Sequence, residues 1–245
     1  MKGLTDKVAL VTGGAGAFGR AITARLRAEG ARVVATDLNA SDIEPAEGLL
    51  ALEHDVTDQL SWERAIDAAL DAFGTIDAVV NNAGFANLPE PQDPESVTLR
   101  HWRAVHSVNV EGVLLGCQAA MRVMKKRGGV IVNISSISAL QPSPKMAAYG
   151  ASKAAVRHLT TTVAAYCTQR GFKIRCNSIH PGWFPSAMTR SARTPDELAA
   201  QERAIPMSRF GLPEELAAVV AFLCSEEASY ITGAKLVVDG GIAMQ

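Results

Sequence analysis

A doubly wound α/β fold, with a seven-stranded parallel sheet flanked by helices, is predicted by three features of the 245-residue sequence. Short β-type runs alternate with longer helical patterns along the chain, the order that builds βαβ units. Most of those runs are near-continuous aliphatic stretches, as strands covered on both faces require. A hydrophobic fraction of 48% supplies one sizeable core, and α/β chains of this length commonly form one domain, so residues 1–245 are read as a single domain.

In chain order the predicted strands are KVALVT, RVVATD, LLALEHD, IDAVVNNAG, GVIVNIS, FKIRCNSIHPG and AKLVVDGG. In the first helical segment, GRAITARLRAEG, Ala21, Ile22, Arg25 and Leu26 follow three-to-four spacing and Gly30 supplies the stop. Similar patterns run over SWERAIDAALDAFG, RHWRAVHSVNVEGVLLGCQAAMRVMKKRGG, AAYGASKAAVRHLTTTVAAYCTQRG and PEELAAVVAFLCSEE. The exception is residues 183–213, Trp183 to Pro213, rich in Pro, Ser and Met. Long irregular segments in compact domains are often functional, and this one is expected to be a substrate lid.

The formal net charge of −1 gives no general attraction to nucleic acid or to an anionic membrane, so the expected partner is a small molecule. Cys117, Cys167, Cys176 and Cys224 are widely spaced, with no C-x-x-C pair, and read as buried free thiols; no metal site is expected. Asp6 and Lys7 precede any apolar run long enough for a signal sequence, and no run of about 18 apolar residues occurs, so a soluble, cytoplasmic protein is expected.

The stretch TGGAGAFG, Thr12 to Gly19, admits two cofactor signatures. From Gly14 it spells G-x-G-x-x-G; from Thr12 it spells T-G-x-x-x-G-x-G with Ala17 in place of the middle glycine. Either way, small residues between a strand and a helix let the backbone approach a pyrophosphate that the helix N-terminus stabilises. A lone match also describes any tight strand-to-helix turn. About 20 residues on, Asp37 ends the second strand, where a carboxylate accepts hydrogen bonds from both hydroxyls of an adenosine ribose and repels a 2′-phosphate. The following LNASD holds no Arg or Lys, so NAD is favoured over NADP. The alternative for Asp37 is a solvated acid at a strand end.

In AAYGASK, Tyr149 and Lys153 lie four residues apart in a helical pattern, on one face. A tyrosine pKa near 10 is too high for a base at neutral pH, but an adjacent ammonium lowers it. Upstream, VIVNISSISA ends a strand with Ser135 and Ser136 at the ligand-binding edge of the sheet. There a serine hydroxyl holds a carbonyl oxygen or caps the next segment. Taken singly, the Tyr–Lys pair also fits two residues on a partly exposed helix.

The glycine turn, NNAG at 81–84, HSVNVEG, NISS, YGASK, HPG at 180–182 and ITGAKLVVDGG occur in order over essentially the whole chain. In this the sequence resembles the short-chain dehydrogenase/reductase family, single-domain enzymes on a Rossmann-like fold. The resemblance selects T-G-x-x-x-G-x-G over G-x-G-x-x-G and makes Ala17 a departure, expected to tighten the site modestly. It implies that Tyr149 is the general acid/base, that Lys153 lowers its pKa and binds the nicotinamide ribose, and that Ser136 orients the reacting oxygen. Asn109 would be the fourth catalytic member, ordering a water in a proton relay from Lys153. The dinucleotide contacts it implies are Gly13, Gly16, Phe18, Gly19, Asp37, Leu38, Asp55, Val56, Asn82, Ala83, Gly84, Pro181, Gly182, Phe184 and Ser186, the last standing where the family commonly has threonine. Homotetramers are common in the family, so a homo-oligomer is expected.

His54, His101, His106, His158 and His180 share no ligand or catalytic spacing and read as structural histidines. Lys125, Lys126 and Arg127 complement a helix C-terminus, and Arg190 and Arg193 read as solvated lid residues. Around the expected site Phe85, Leu88, Leu140, Met146, Trp183, Phe184, Met188 and Met207 form a mainly apolar set, and methionines adapt to bulky ligands. The predicted activity is NAD-dependent interconversion of a hydrophobic secondary alcohol and a ketone, of the hydroxysteroid, cyclic or aromatic type. The alternatives are a 3-oxoacyl thioester reductase, disfavoured by Asp37, and a non-catalytic NAD-sensing protein, disfavoured by the complete Ser136, Tyr149, Lys153 and Asn109 set.

Overall fold

Seven aliphatic runs become strands. They are β1 (Val8–Thr12), β2 (Arg32–Asp37), β3 (Leu49–Glu53), β4 (Ala78–Asn81), β5 (Gly129–Ile134), β6 (Ile174–Pro181) and β7 (Lys235–Val238); β1, β2, β4, β5 and β6 are buried along most of their length, whereas the edge strands β3 and β7 are only partly covered. The computed structural model describes residues 1–86, 91–184 and 194–244. All seven strands pair in parallel in the order β3-β2-β1-β4-β5-β6-β7. The order reverses between β1 and β4, and the crevice beyond their carboxyl ends is where open α/β sheets bind ligands.

Successive side chains of a strand point to opposite faces, and the two cores follow that alternation. Val11, Val80 and Val132 pack on one face with Ile22 and Leu26 of α1 (Ala17–Ala28), and with Leu216 and Val220 of a later helix. Leu10, Val79 and Ile131 pack on the other with Trp62 of α2 (Gln59–Phe73) and with Cys117 and Val156. Asp58 caps α2 by accepting from the amides of Leu60 at 3.0 Å and Ser61 at 3.2 Å, and Gly74 ends it in the left-handed conformation. The four cysteines are buried and unpaired.

The long segment predicted as one helix is interrupted. It forms α3 (Leu99–His106), a π-helical turn over Ser107–Glu111, and α4 (Gly112–Met124). A π turn inserts an extra residue into the helix and commonly marks a functional site; here it holds Asn109, which is fully buried. Next comes α5 (Ala147–Gln169), tied to the sheet by a buried polar ladder. Asn81 Nδ2 donates to Asn133 Oδ1 at 2.8 Å, Asn133 Nδ2 to Thr160 Oγ1 at 2.9 Å, and Thr160 Oγ1 to the Val156 carbonyl at 2.8 Å. Buried hydrogen-bond networks fix packing geometry, and this one, which leaves Asn81 Oδ1 without a partner among the described residues, ties the helix bearing Tyr149 and Lys153 to the sheet.

Within the segment predicted to be irregular, residues 195–203 form α6 (Pro195–Arg203). Thr194 Oγ1 accepts from the Glu197 amide at 3.3 Å while Glu197 Oε2 accepts from the Thr194 amide at 2.8 Å, with Pro195 opening the helix. The T-P-D-E string is a capping-box signal. The last helix is α7 (Pro213–Cys224), which packs beside α1. Among the described residues no helix is long and apolar enough to cross a membrane.

Candidate active site

The first strand runs into a turn whose glycines do different work. Gly13 has φ +67°, and a Cβ there would lie 2.9 Å from Ala83 Cα. A Cβ on Gly19 would overlap the Gly13 carbonyl oxygen. Gly16, by contrast, would accept a Cβ at an ordinary 3.4 Å from that oxygen. The fold therefore forces glycine at 13 and 19, while Gly16 leaves room in the groove it borders, as the close approach of a pyrophosphate requires. The positive φ of Gly13 is a requirement that the G-x-G-x-x-G reading, starting one residue later, leaves out. Ala17 opens α1, where its methyl group is compatible with helical torsions.

Thr12 and Asn82 staple this turn to the end of β4. Thr12 Oγ1 accepts from the amides of Asn82 at 3.1 Å and Ala83 at 3.0 Å, and Asn82 Nδ2 donates to the carbonyls of Thr12 at 2.8 Å and Gly13 at 3.1 Å. Asp37 closes the other side, its Oδ2 accepting from the Ala15 amide at 3.0 Å. Gly13, Gly16, Ala17, Phe18 and Asp37 form one wall of a groove of about 330 Å³, and Asn82, Ala83 and Gly84 the other.

The groove adjoins a second cavity of about 290 Å³, with Phe18, Asn82, Gly84 and Phe184 shared between them. Phe18 and Phe184 meet edge to face there, ring centroids 5.2 Å apart. Ser136, Tyr149 and Lys153 line this second cavity together with Phe85, Pro181 and Gly182. Lys153 Nζ donates to the Ile134 carbonyl at 3.0 Å and lies 5.6 Å from the Tyr149 ring centroid. Burial of its ammonium lowers the Lys153 pKa to about 8. Burial raises the Tyr149 phenol above its ordinary value of 10.0, opposed by a hydrogen bond from the Ser136 side chain. That direction is opposite to the lowering predicted from the Tyr149–Lys153 spacing: desolvation of the phenol dominates, and the Lys153 ammonium directs its own hydrogen bond to the Ile134 carbonyl.

Asn109 reaches the site from the π turn. Its Nδ2 donates to the Phe85 carbonyl at 2.8 Å and to Ser152 Oγ at 3.0 Å, and its Oδ1 accepts from the Phe85 amide at 2.8 Å. Asn109 thus pins the backbone that follows NNAG, and Lys153 Nζ and Asn109 Oδ1 both flank Gly84.

Some predicted residues border neither cavity. Leu38, 63% exposed, borders neither cavity, and nor do Asp55 and Val56. They follow the paired ends of β2 and β3, where Asp55 Oδ1 accepts from the Thr57 amide at 2.9 Å and the Val56 carbonyl from Trp62 Nε1 at 2.9 Å. Of the apolar set, Phe85 and Phe184 line the site cavity, whereas Met207 lines a cavity toward the C-terminus that meets the site only at Phe184. Leu140, Met146 and Trp183 line neither part of the site. Ser186, Leu88, Met188, Arg190 and Arg193 lie outside the described residues. Ser135, read from the sequence only as one of two serines at the strand end, and Ser152, given no role there, donate their hydroxyls to the carbonyls of Lys153 at 2.9 Å and Tyr149 at 2.7 Å. The serine beside Ser136 and the one beside Lys153 were the available signals.

A family model described as enoyl-(acyl carrier protein) reductase matches residues 13–243. The chain is 35% identical to an NADP-dependent (R)-specific alcohol dehydrogenase of Lentilactobacillus kefiri, covering 99% of this chain and 98% of that protein. It is 39% identical to 3beta-hydroxysteroid dehydrogenase 1 of Eggerthella lenta, over 98% and 95% of the two chains. Among solved structures it is similar to a 3-ketoacyl-(acyl-carrier-protein) reductase from Brucella melitensis complexed with NADH, with a TM-score of 0.90 and 33% identity over 98% of this chain and 99% of that one.

Proposed function

The chain belongs to the short-chain dehydrogenase/reductase family of oxidoreductases, and we propose that it interconverts a hydrophobic secondary alcohol and a ketone with NAD. One observation supports this above all. Ser136, Tyr149 and Lys153 converge on a cavity that continues past Phe18 and Phe184 into a groove closed by the Asp37 carboxylate.

In this reading Gly13, Gly16, Phe18, Gly19, Asp37, Asn82, Ala83, Gly84, Pro181, Gly182 and Phe184 hold the dinucleotide, with Leu38, Asp55 and Val56 toward its adenine end. The nicotinamide, when bound, supplies or accepts the hydride. Tyr149 exchanges the proton of the reacting hydroxyl. Ser136 Oγ accepts from the Ser138 amide at 3.1 Å, which leaves its single O–H to donate either to Tyr149, as without substrate, or to the reacting oxygen when substrate binds. The bond to Tyr149 favours the phenolate and offsets the burial that raises the tyrosine. Lys153 holds the proton that balances that phenolate, and Asn109 fixes the backbone of Phe85 beside it. Residues 183–213 serve as the substrate lid, and the protein works as a cytoplasmic homotetramer on a small molecule.

Phe18, Phe85, Ala86, Ile134 and Phe184 supply an apolar side to a cavity that Asn82, Ser135, Ser136, Tyr149 and Lys153 line with polar groups, a combination that suits the ring and the hydroxyl of a cyclic or aromatic alcohol. A second reading, 3-oxoacyl thioester reduction, is favoured by the Brucella melitensis neighbour. Because that enzyme was solved with NADH, an aspartate at position 37 does not separate the two readings.

The test is the initial rate of nicotinamide reduction with NAD or NADP across steroid, cycloalkyl, aryl and sugar alcohols, with thioester reduction measured in reverse and Tyr149→Phe as the blank. Turnover of one hydrophobic class with NAD, lost in the blank, is the expected result. Turnover confined to sugars refutes the apolar pocket, and turnover confined to thioesters selects the second reading. Dinucleotide binding with no turnover refutes the enzyme and leaves a sensor.

A further inference from the structure

Ser178 and His180 occupy alternate positions of β6, so their side chains share one face of the strand. His180 is fully buried and both its ring nitrogens are engaged. Nδ1 lies 2.9 Å from the Ser136 carbonyl oxygen, and Nε2 lies 2.9 Å from Ser178 Oγ. A carbonyl only accepts, so Nδ1 bears the hydrogen and Nε2 accepts from the Ser178 hydroxyl. These two contacts select one neutral tautomer. Burial lowers the imidazole pKa and acts in the same sense; the bond to the Ser136 carbonyl opposes it, and the charges of Arg157 and Lys153 from α5 and Lys235 from β7 add to the lowering.

Ser136 needs such support because the sheet stops short of it. The β5–β6 register ends at Ile134 opposite Ile179, and the Ser135 amide still reaches the Ile179 carbonyl at 2.8 Å. Past that point the Ser136 carbonyl accepts from the Ala139 amide at 3.0 Å on one side and from His180 on the other. We propose that His180, oriented by Ser178, is a positioning residue that holds the Ser136 backbone so that its hydroxyl reaches Tyr149 or the reacting oxygen. The inference rests on the role given to Ser136 in the proposed function.

The experiment compares His180→Phe, His180→Gln, His180→Asn, Ser178→Ala and Ser178→Thr with the wild-type chain in turnover, cofactor binding and thermal unfolding. An Asn amide places a donor near the Nδ1 position, whereas a Gln amide places it near Nε2. The expected kcat loss is about 10- to 100-fold for Phe and Gln, as for other small misplacements of reacting groups, with cofactor Kd unchanged and substantial rescue by Asn. Ser178→Ala frees the tautomer and is expected to lower kcat about tenfold, restored by Ser178→Thr. A merely structural role would lower the melting temperature of all the histidine variants and leave kcat per folded molecule alone. That outcome, or equal impairment of Asn and Gln, overturns the inference while leaving the function standing. If the Phe variant does not fold, the Ser178 pair decides in the same way. A wild-type chain that turns over neither alcohols nor thioesters refutes the proposed function itself.

Discussion

Substituting Asp37 by Asn isolates the charge that is argued to select NAD. Asp37 Oδ2 accepts from the Ala15 amide at 3.0 Å, and an Asn side-chain oxygen preserves that bond, so the turn keeps its geometry. What changes is the encounter with a 2′-phosphate. Two like unit charges about 4 Å apart repel by about 4 kcal/mol at an effective dielectric constant near 20. Asp37 stands half-buried at the mouth of the groove, where solvent and salt screen the interaction, leaving about 1–2 kcal/mol, or roughly 5- to 30-fold in NADP affinity. The ribose of NAD meanwhile loses a charge-assisted hydrogen bond, worth about 1 kcal/mol more than a neutral one, or about fivefold. The NAD-to-NADP preference is therefore expected to fall by roughly 25- to 150-fold. Fluorescence titration of the two reduced cofactors at low and high salt measures it, and the wild-type preference should narrow as salt rises. A ratio unchanged within about twofold in the variant, or a wild-type chain that binds NADPH more tightly, would refute the assignment of specificity to this carboxylate.

Three other outcomes follow from the same geometry. Gly19→Ala, whose Cβ overlaps the Gly13 carbonyl, should lower unfolding free energy by about 2 kcal/mol or more, whereas Gly16→Ala should unfold like the wild type and lose dinucleotide affinity; equal melting temperatures for both would contradict the division of labour in the turn. His54, buried against Trp62 with Nδ1 on Thr36 Oγ1 at 2.9 Å, has its pKa lowered by burial to about 4; the unfolded chain binds the extra proton, so stability present above pH 6.5 is lost as pH falls toward 4, by up to about 3 kcal/mol. Urea unfolding of the wild type and His54→Asn across that window checks it, the variant showing the shallower slope. Lys153→Met should abolish turnover yet stabilise the chain: holding the ammonium with its pKa lowered from 10.5 to about 8 costs about 3 kcal/mol, offset by about 1–3 kcal/mol when the Ile134 carbonyl loses its donor, for a net gain near 1 kcal/mol. Wild-type stability should accordingly rise between pH 8 and 10.5, with no such slope in the variant.

The central strands were legible because burial on both faces writes near-continuous aliphatic runs such as VALV and VIV. Tyr149 and Lys153 were legible because one helical turn fixes their common face whatever the rest of the chain does. The π turn at Ser107–Glu111 was not, since HSVNVEG fits an unbroken helix equally well and the extra residue is set by the pull of Phe85 and Ser152 on Asn109. The T-P-D-E cap of α6 was present in the sequence but lay inside a stretch whose Pro, Ser and Met content read as irregular. The apolar set failed in part for a different reason: Met207 follows a helix of the lid segment and faces the C-terminus, a matter of three-dimensional direction that adjacency to a motif does not encode.

The ionisation of the site was the least legible property, and for a general reason. Charge proximity can be read from spacing, but desolvation depends on every element that covers a group, and here it dominates both partners, raising Tyr149 and lowering Lys153. A buried ammonium is a cost that the fold bears for chemistry. The surrounding carbonyls and hydroxyls show how it is borne: Ile134 accepts from Nζ, Ser135 holds the Lys153 carbonyl, and the Asn81–Asn133–Thr160 ladder holds the helix. None of these groups needs to touch a substrate. Removing one of them, as in Ser135→Ala, should loosen Lys153 and lower turnover by more than it weakens dinucleotide affinity, because the groove from Gly13 to Asp37 is built from a different set of contacts.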